Sequence, residues 1–258
     1  MVLLEDPPAD LATPTGSMRT YTLRPVAKGR YPGVVLFSEI FQVTGPIRRF
    51  AAVLAGHGFV VTIPEIYHDL LTPGEVLAYD TPGADKGNAC KVGRPVAAYD
   101  DDARAALDHL AAHGACTGAL GVLGICIGGH LAFRGAMNPS VRAAACFYPT
   151  DIHKGSLGKG GDDTLARIAR GDLKAETLMI FGRQDPHIPR EGRRLIYDAM
   201  TDAACNFSWH EFNAAHAFMR DEGNRYNPEL AKQCFGMVAD LMRRKLGEGD
   251  TGPPVVQA

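Results

Sequence analysis

The sequence has no CxxC pair, no apolar run of membrane-spanning length and no excess of either charge. Each absence removes a class of protein. The six cysteines, at 90, 116, 126, 146, 205 and 234, are scattered, so they signal neither a disulfide framework nor a zinc site and suit a reducing compartment. Lys plus Arg number 27 against 29 acidic residues, which leaves no broad positive field for a phosphate backbone or an anionic bilayer. Nucleic acid is not an expected partner. The opening MVLLEDPPAD meets acid and proline too early to form a signal-peptide core, and no later stretch reaches the roughly 20 apolar residues that cross a bilayer. A soluble, cytoplasmic protein with no membrane partner is expected.

What is present describes an ordinary folded domain. Across 258 residues, 46% hydrophobic and 22% charged is enough apolar material for one substantial core. Short apolar runs alternate with segments of helical period. YPGVVLFSEI, GFVVTIPEIY, AAACFYPT, ETLMIFGRQD and CNFSWHEFN read as strands and ALGVLGICIGG as a strand followed by a sharp turn, whereas GPIRRFAAVLAGHG, VAAYDDDARAALDHLAAHG, REGRRLIYDAMTDA and NPELAKQCFGMVADLMRRKL read as helices. Strands that are apolar along their whole length, separated by helices, predict an α/β protein: a mostly parallel central sheet with helices on both faces. The boundaries follow. Residues 1–16 read as a loose N-terminal arm, 17–247 as a single domain and 248–258 as a flexible tail.

In such sheets ligands bind at the carboxyl ends of the strands, so reactive residues should stand just past the apolar runs. Cys126 does, in GICIGG, where glycines at 124 and 128 leave room for a strained strand-to-helix turn. A helix start beyond it favours a thiolate. The other five cysteines read as small buried side chains. A cysteine nucleophile needs a base, and the base an acid to orient it. Asp185 in GRQDPHIP and His216 in FNAAHAFMR each follow a strand, and the order nucleophile, acid, histidine is that of an α/β-hydrolase. His187 is weighed as a pocket-rim residue, and the remaining histidines as structural or peripheral. No metal and no cofactor are implied.

GICIGG, GRQDPHIP and HAFMRDEGNRYNP, together with the early VVLFSEIFQVTGPI, resemble the dienelactone hydrolase family over roughly residues 17–247. The resemblance implies an α/β-hydrolase fold and cleavage of a small ester or lactone. It also implies that Glu39 interacts with the nucleophile in the empty site and accepts its proton as substrate binds. The oxyanion hole is expected from the backbone N–H groups of Ile127, which follows the nucleophile, and, by the family match, Ile40. Arg220 matches the arginine that grips a substrate carboxylate, against the alternative of a surface pair with Asp221 or Glu222.

The family's second carboxylate-binding arginine has no secure match. HDLLTPGEVLAYDTPGADKGNACKVGRP reads as one long loop covering the pocket, with Lys86, Lys91 and Arg94 as candidates and no tryptophan, since the only one, Trp209, lies in a strand. Two competing functions are a broad-specificity carboxylesterase and a non-hydrolytic redox-sensing or ligand-binding relative. A monomer or small homo-oligomer is expected.

Overall fold

Residues 3–247 are described by the computed structural model, and the expected tail, 248–258, lies outside them. Six parallel strands form the frame: β4 (Tyr31–Phe37), β5 (Val60–Pro64), β6 (Cys116–Ile125), β7 (Val141–Phe147), β8 (Glu176–Gly182) and β9 (Phe207–Phe212). They lie in the order β5-β4-β6-β7-β8-β9, and β3 (Gly16–Pro25) closes the β5 edge antiparallel. Val34, Val35, Val122, Leu123 and Ala143 to Cys146 are fully buried, as strands covered on both faces must be. The covering helices are α1 (Gly45–Gly56), α3 (Val96–Ala112), α4 (Ile127–Gly135), α6 (Arg190–Asp202) and α7 (Pro228–Leu246), with the short α5 (Thr164–Ala169) beside α6. On α3, Tyr99, Ala103, Ala106, Leu107 and Leu110 form a buried face. This is the α/β-hydrolase fold. Among the described residues, no helix is long and apolar enough to cross a membrane.

Two expectations need correcting. Most of the predicted N-terminal arm is structured: β1 (Leu3–Glu5) and β2 (Ala9–Thr13) pair antiparallel with successive parts of β3, on the edge opposite β5. Pro7 and Pro8 fall in the break between them, where the missing N–H donors interrupt the ladder. The second correction is the pocket cover, which contains a helix, α2 (Thr81–Gly93). Asp80 caps it by accepting a hydrogen bond from the Gly83 N–H at 2.8 Å, and Pro82 sits in the first turn. Its buried side is Gly83, Gly87 and Cys90. Small residues at helical spacing leave no apolar stripe for sequence periodicity to detect.

A buried charge cluster fastens this cover to the frame. Arg94, 1% exposed, places Nη1 2.8 Å from Asp102 Oδ2 on α3 and Nε 2.7 Å from Asp69 Oδ1, and donates to the Ile66 carbonyl at 2.7 Å. His68 lies 3.1 Å from the other Asp102 oxygen. Removing one partner of such a cluster strands the remaining charge in a dry interior. Arg94→Met is expected to destabilise the protein by about 3–5 kcal/mol, read as the shift of the urea midpoint at constant slope.

Candidate active site

Cys126 occupies a single-residue turn between the last residue of β6 and the first of α4, with φ 62° and ψ −122°. That conformation is strained for a residue with a Cβ, and close backbone contacts on both sides enforce it. A Cβ on Gly124 would lie 1.8 Å from the Gly128 carbonyl oxygen, and one on Gly128 would lie 2.2 Å from that of Phe37. The first turn of α4 therefore rests directly on the ends of β6 and β4, leaving the Cys126 side chain half-buried beside a cavity of about 430 Å³.

Two strands further along the sheet, β8 ends at Gly182 and its loop carries Asp185. The loop after β9 carries His216. Gly182 allows the two loops to touch, because a Cβ there would stand 2.4 Å from the Ala214 carbonyl oxygen. Nδ1 of His216 donates to Asp185 Oδ2 at 2.6 Å, while Asp185 Oδ1 accepts from the His187 N–H at 2.8 Å. Cys126 lines the same cavity as this imidazole. Burial disfavours charge on His216, but the Cys126 charge and the bond to Asp185 outweigh it and push the ring's pKa up to about 10. Burial would raise the Asp185 pKa; His216 more than reverses this and holds the carboxyl below its usual range. The arrangement is a carboxylate hydrogen-bonded to an imidazole that shares a cavity with a half-buried thiol.

Ile127 opens α4, so its N–H has no acceptor within the helix. Ile40 lines the same cavity as Cys126, and α2 packs on its backbone: a Cβ on Gly87 would lie 2.5 Å from the Ile40 carbonyl oxygen. Glu39, 3% exposed, accepts a hydrogen bond from the Tyr79 hydroxyl at 3.1 Å and has Arg220 Nη1 3.9 Å away. Burial raises its pKa, against the opposing pull of Arg220, His216 and Tyr79. The resemblance pairs Glu39 with the thiol in an empty site. Here Tyr79 and Arg220 engage Glu39, and the Cys126 charge acts on His216.

Arg220 lies 4.1 Å over the Tyr79 ring and lines the cavity, and its Nε donates to the Glu222 carbonyl at 3.1 Å. Asp221 is occupied by Arg49 at 2.6 and 2.8 Å, so the surface pairing with its carboxylate does not form. Of the three candidates for the second cation, Arg94 is consumed in the buried cluster and Lys86 pairs with Glu75. Lys91 lines the cavity, 2.8 Å from Asp151. Tyr79, Asp151, Lys154 and Arg225 also line it and were not anticipated. Asp185, His187 and His216 bring donor atoms within 4.8 Å of one another, as a metal would require, but an ion there would compete with the 2.6 Å Asp185–His216 bond.

Cys126, Asp185 and His216, in that chain order at the carboxyl ends of parallel strands, match the layout of an α/β-hydrolase. The chain belongs to the dienelactone hydrolase family, whose model matches residues 18–246. It is 40% identical over 248 residues to a Saccharomyces cerevisiae protein named "Putative carboxymethylenebutenolidase", covering 92% of this chain and 90% of that one. A Pseudomonas sp. (strain P51) carboxymethylenebutenolidase is 26% identical over 230 residues, covering 88% and 90%. The crystal structure named "Putative Dienelactone Hydrolase" from Klebsiella pneumoniae superimposes with a TM-score of 0.78 at 26% identity, over 96% of this chain and all of the other. The protein is thus a dienelactone hydrolase-like enzyme.

Two outcomes test this geometry. With the Ile40 N–H as an oxyanion donor, Gly87→Ala displaces the donor and should lower kcat for an activated ester by roughly 10- to 100-fold while changing KM less, as steady-state kinetics would show. A His216 pKa raised to about 10 means that the imidazolium persists below that pH and is lost above it. For a leaving group that needs a proton, kcat/KM should fall as pH rises through about 10. Asp185→Asn, by removing the negative neighbour, should move that alkaline limb to lower pH.

Proposed function

We propose that the protein hydrolyses a small, carboxylate-bearing ester or lactone through a thioester-linked acyl-enzyme on Cys126. The observation that carries this reading is the position of His216, which bonds Asp185 and lines one cavity with Cys126, whose charge helps to raise the ring's pKa. Cys126 gives up its proton, by way of Glu39, to His216 and attacks the carbonyl carbon, and the Ile40 and Ile127 N–H groups receive the oxyanion. His216 then gives its proton to the leaving oxygen as the thioester forms. In the second half, water loses a proton to His216, attacks the thioester and releases a carboxylate and the thiol. Asp185 holds the ring in the tautomer that both halves require. An enol lactone suits this nucleophile because the expelled enolate is a good leaving group.

Glu39 and Arg220 connect binding to chemistry. A substrate carboxylate that draws Arg220 to itself removes the cation nearest Glu39, so Glu39 becomes a better proton acceptor, which is the role implied by the family pattern. Lys91 stands in the same cavity as a second cation for that carboxylate. The six free cysteines fit a reducing, cytoplasmic setting.

Cys126→Ala should lower turnover of an activated ester or dienelactone by at least about a thousandfold with the circular dichroism spectrum unchanged. Mass spectrometry of the wild-type protein during turnover should reveal an acyl adduct on Cys126. Retained turnover in the variant would overturn the reading, and oxidation of Cys126 without turnover would indicate a sensor. Arg220→Ala should raise KM about tenfold for esters bearing a carboxylate and much less for neutral ones. Equal effects on both would point to a broad carboxylesterase.

A further inference from the structure

We propose that the substrate carries two anionic groups, one on each side of the reacting carbonyl, and that Lys154 and Arg225 hold the second. This deepens the hydrolase reading above and rests on it. The cavity holding Cys126 is lined by four cations, Lys91, Lys154, Arg220 and Arg225, and by three carboxylates, Glu39, Asp80 and Asp151. The carboxylates are already engaged. Asp151 bonds Lys91 at 2.8 Å, Glu39 takes the Tyr79 hydroxyl and faces Arg220, and Asp80 caps α2. Lys154 and Arg225 remain, and neither forms an ion pair among the described residues. Both are solvent-exposed on the lining of the cavity, available to an anionic group of the substrate.

Sheet order places these cations relative to the thiol. Cys126 ends β6, which lies between β4 and β7. Arg220 stacks on Tyr79 and faces Glu39 at the β4 side, whereas Lys154 belongs to the loop beyond β7. Arg225, in the loop between β9 and α7, lines the same cavity as Glu39 and His187. A carbonyl seated on Cys126 therefore has positive charge to either side. The carboxylate produced by hydrolysis does not account for the second site, because it forms on the carbon attached to sulfur, among the oxyanion donors. Lys154 and Arg225 instead address a distal part of the molecule, and a cavity of about 430 Å³ is the size for a small acid rather than a long chain. An ester or lactone that keeps two free carboxylates besides the reacting carbonyl, such as a monoester of a tricarboxylic acid, has the required form.

The test uses 4-nitrophenyl esters whose acyl parts carry none, one or two free carboxylates, at fixed ionic strength. The two-carboxylate ester should exceed the one-carboxylate ester in kcat/KM by about tenfold, and the Lys154→Gln, Arg225→Gln double variant should abolish most of that ratio. A ratio near one in the wild type would overturn the proposal. So would a double variant that slows both anionic esters equally, since the two cations would then only steer anions toward the mouth. A second measurement needs no turnover: protection of Cys126 from iodoacetamide by glutarate and by butyrate. Stronger protection by glutarate, lost in the double variant, supports the second subsite, and equal protection by both acids refutes it. Selective protection without turnover of any ester would sink the hydrolase reading alone.

Discussion

The whole site depends on backbone touching backbone beneath Cys126. The first turn of α4 reaches the ends of β4 and β6 only because Gly124 and Gly128 have no side chains, and the approach leaves Cys126 one conformation, at positive φ. That strain is maintained by packing on every side: β6 lies between β4 and β7, and every residue of α4 is buried. A thiol on a flexible loop would sample many directions. Here the frame fixes its direction, and the loops after β8 and β9 need only bring an acid and a base to it.

Electrostatics then divides the cavity into two parts. On one side, Asp185 and the sulfur hold His216 as an imidazolium despite its burial. On the other, Glu39 sits in a dry pocket where burial favours its neutral form and Arg220 and Tyr79 favour the charged one. A carboxyl balanced between opposing pulls of this kind responds to a small change in its neighbours. In the proposed reaction an arriving anion that competes for Arg220 is such a change, and substrate recognition and proton movement would then share one residue.

Much of this was readable from the amino-acid sequence, for identifiable reasons. Strands that are apolar from end to end locate themselves, and residues just beyond them fall at one sheet edge; that reasoning leads to Cys126, Asp185 and His216, of which a hydrogen bond joins the last two and one cavity holds Cys126 and His216. The glycines of GICIGG carry their own steric meaning. Other features had no local signal. α2 hides because its packed side is Gly83, Gly87 and Cys90 rather than leucines. β1 and β2 hide because acids and paired prolines interrupt them. Tyr79 meets Glu39 across 40 residues of sequence, and Arg225 faces His187 from a different loop, encounters that only the folded chain makes.

The broken strand formed by β1 and β2 has a consequence for handling the protein. It covers the outer backbone of β3, whose N–H and C=O groups would otherwise form an open template for a strand from another molecule. Trimming the first dozen residues as dispensable would leave the catalytic groups untouched and yet expose that template, so the shortened enzyme would be prone to self-association. The interrupting prolines limit the same hazard one strand further out, since they cannot donate to an incoming neighbour.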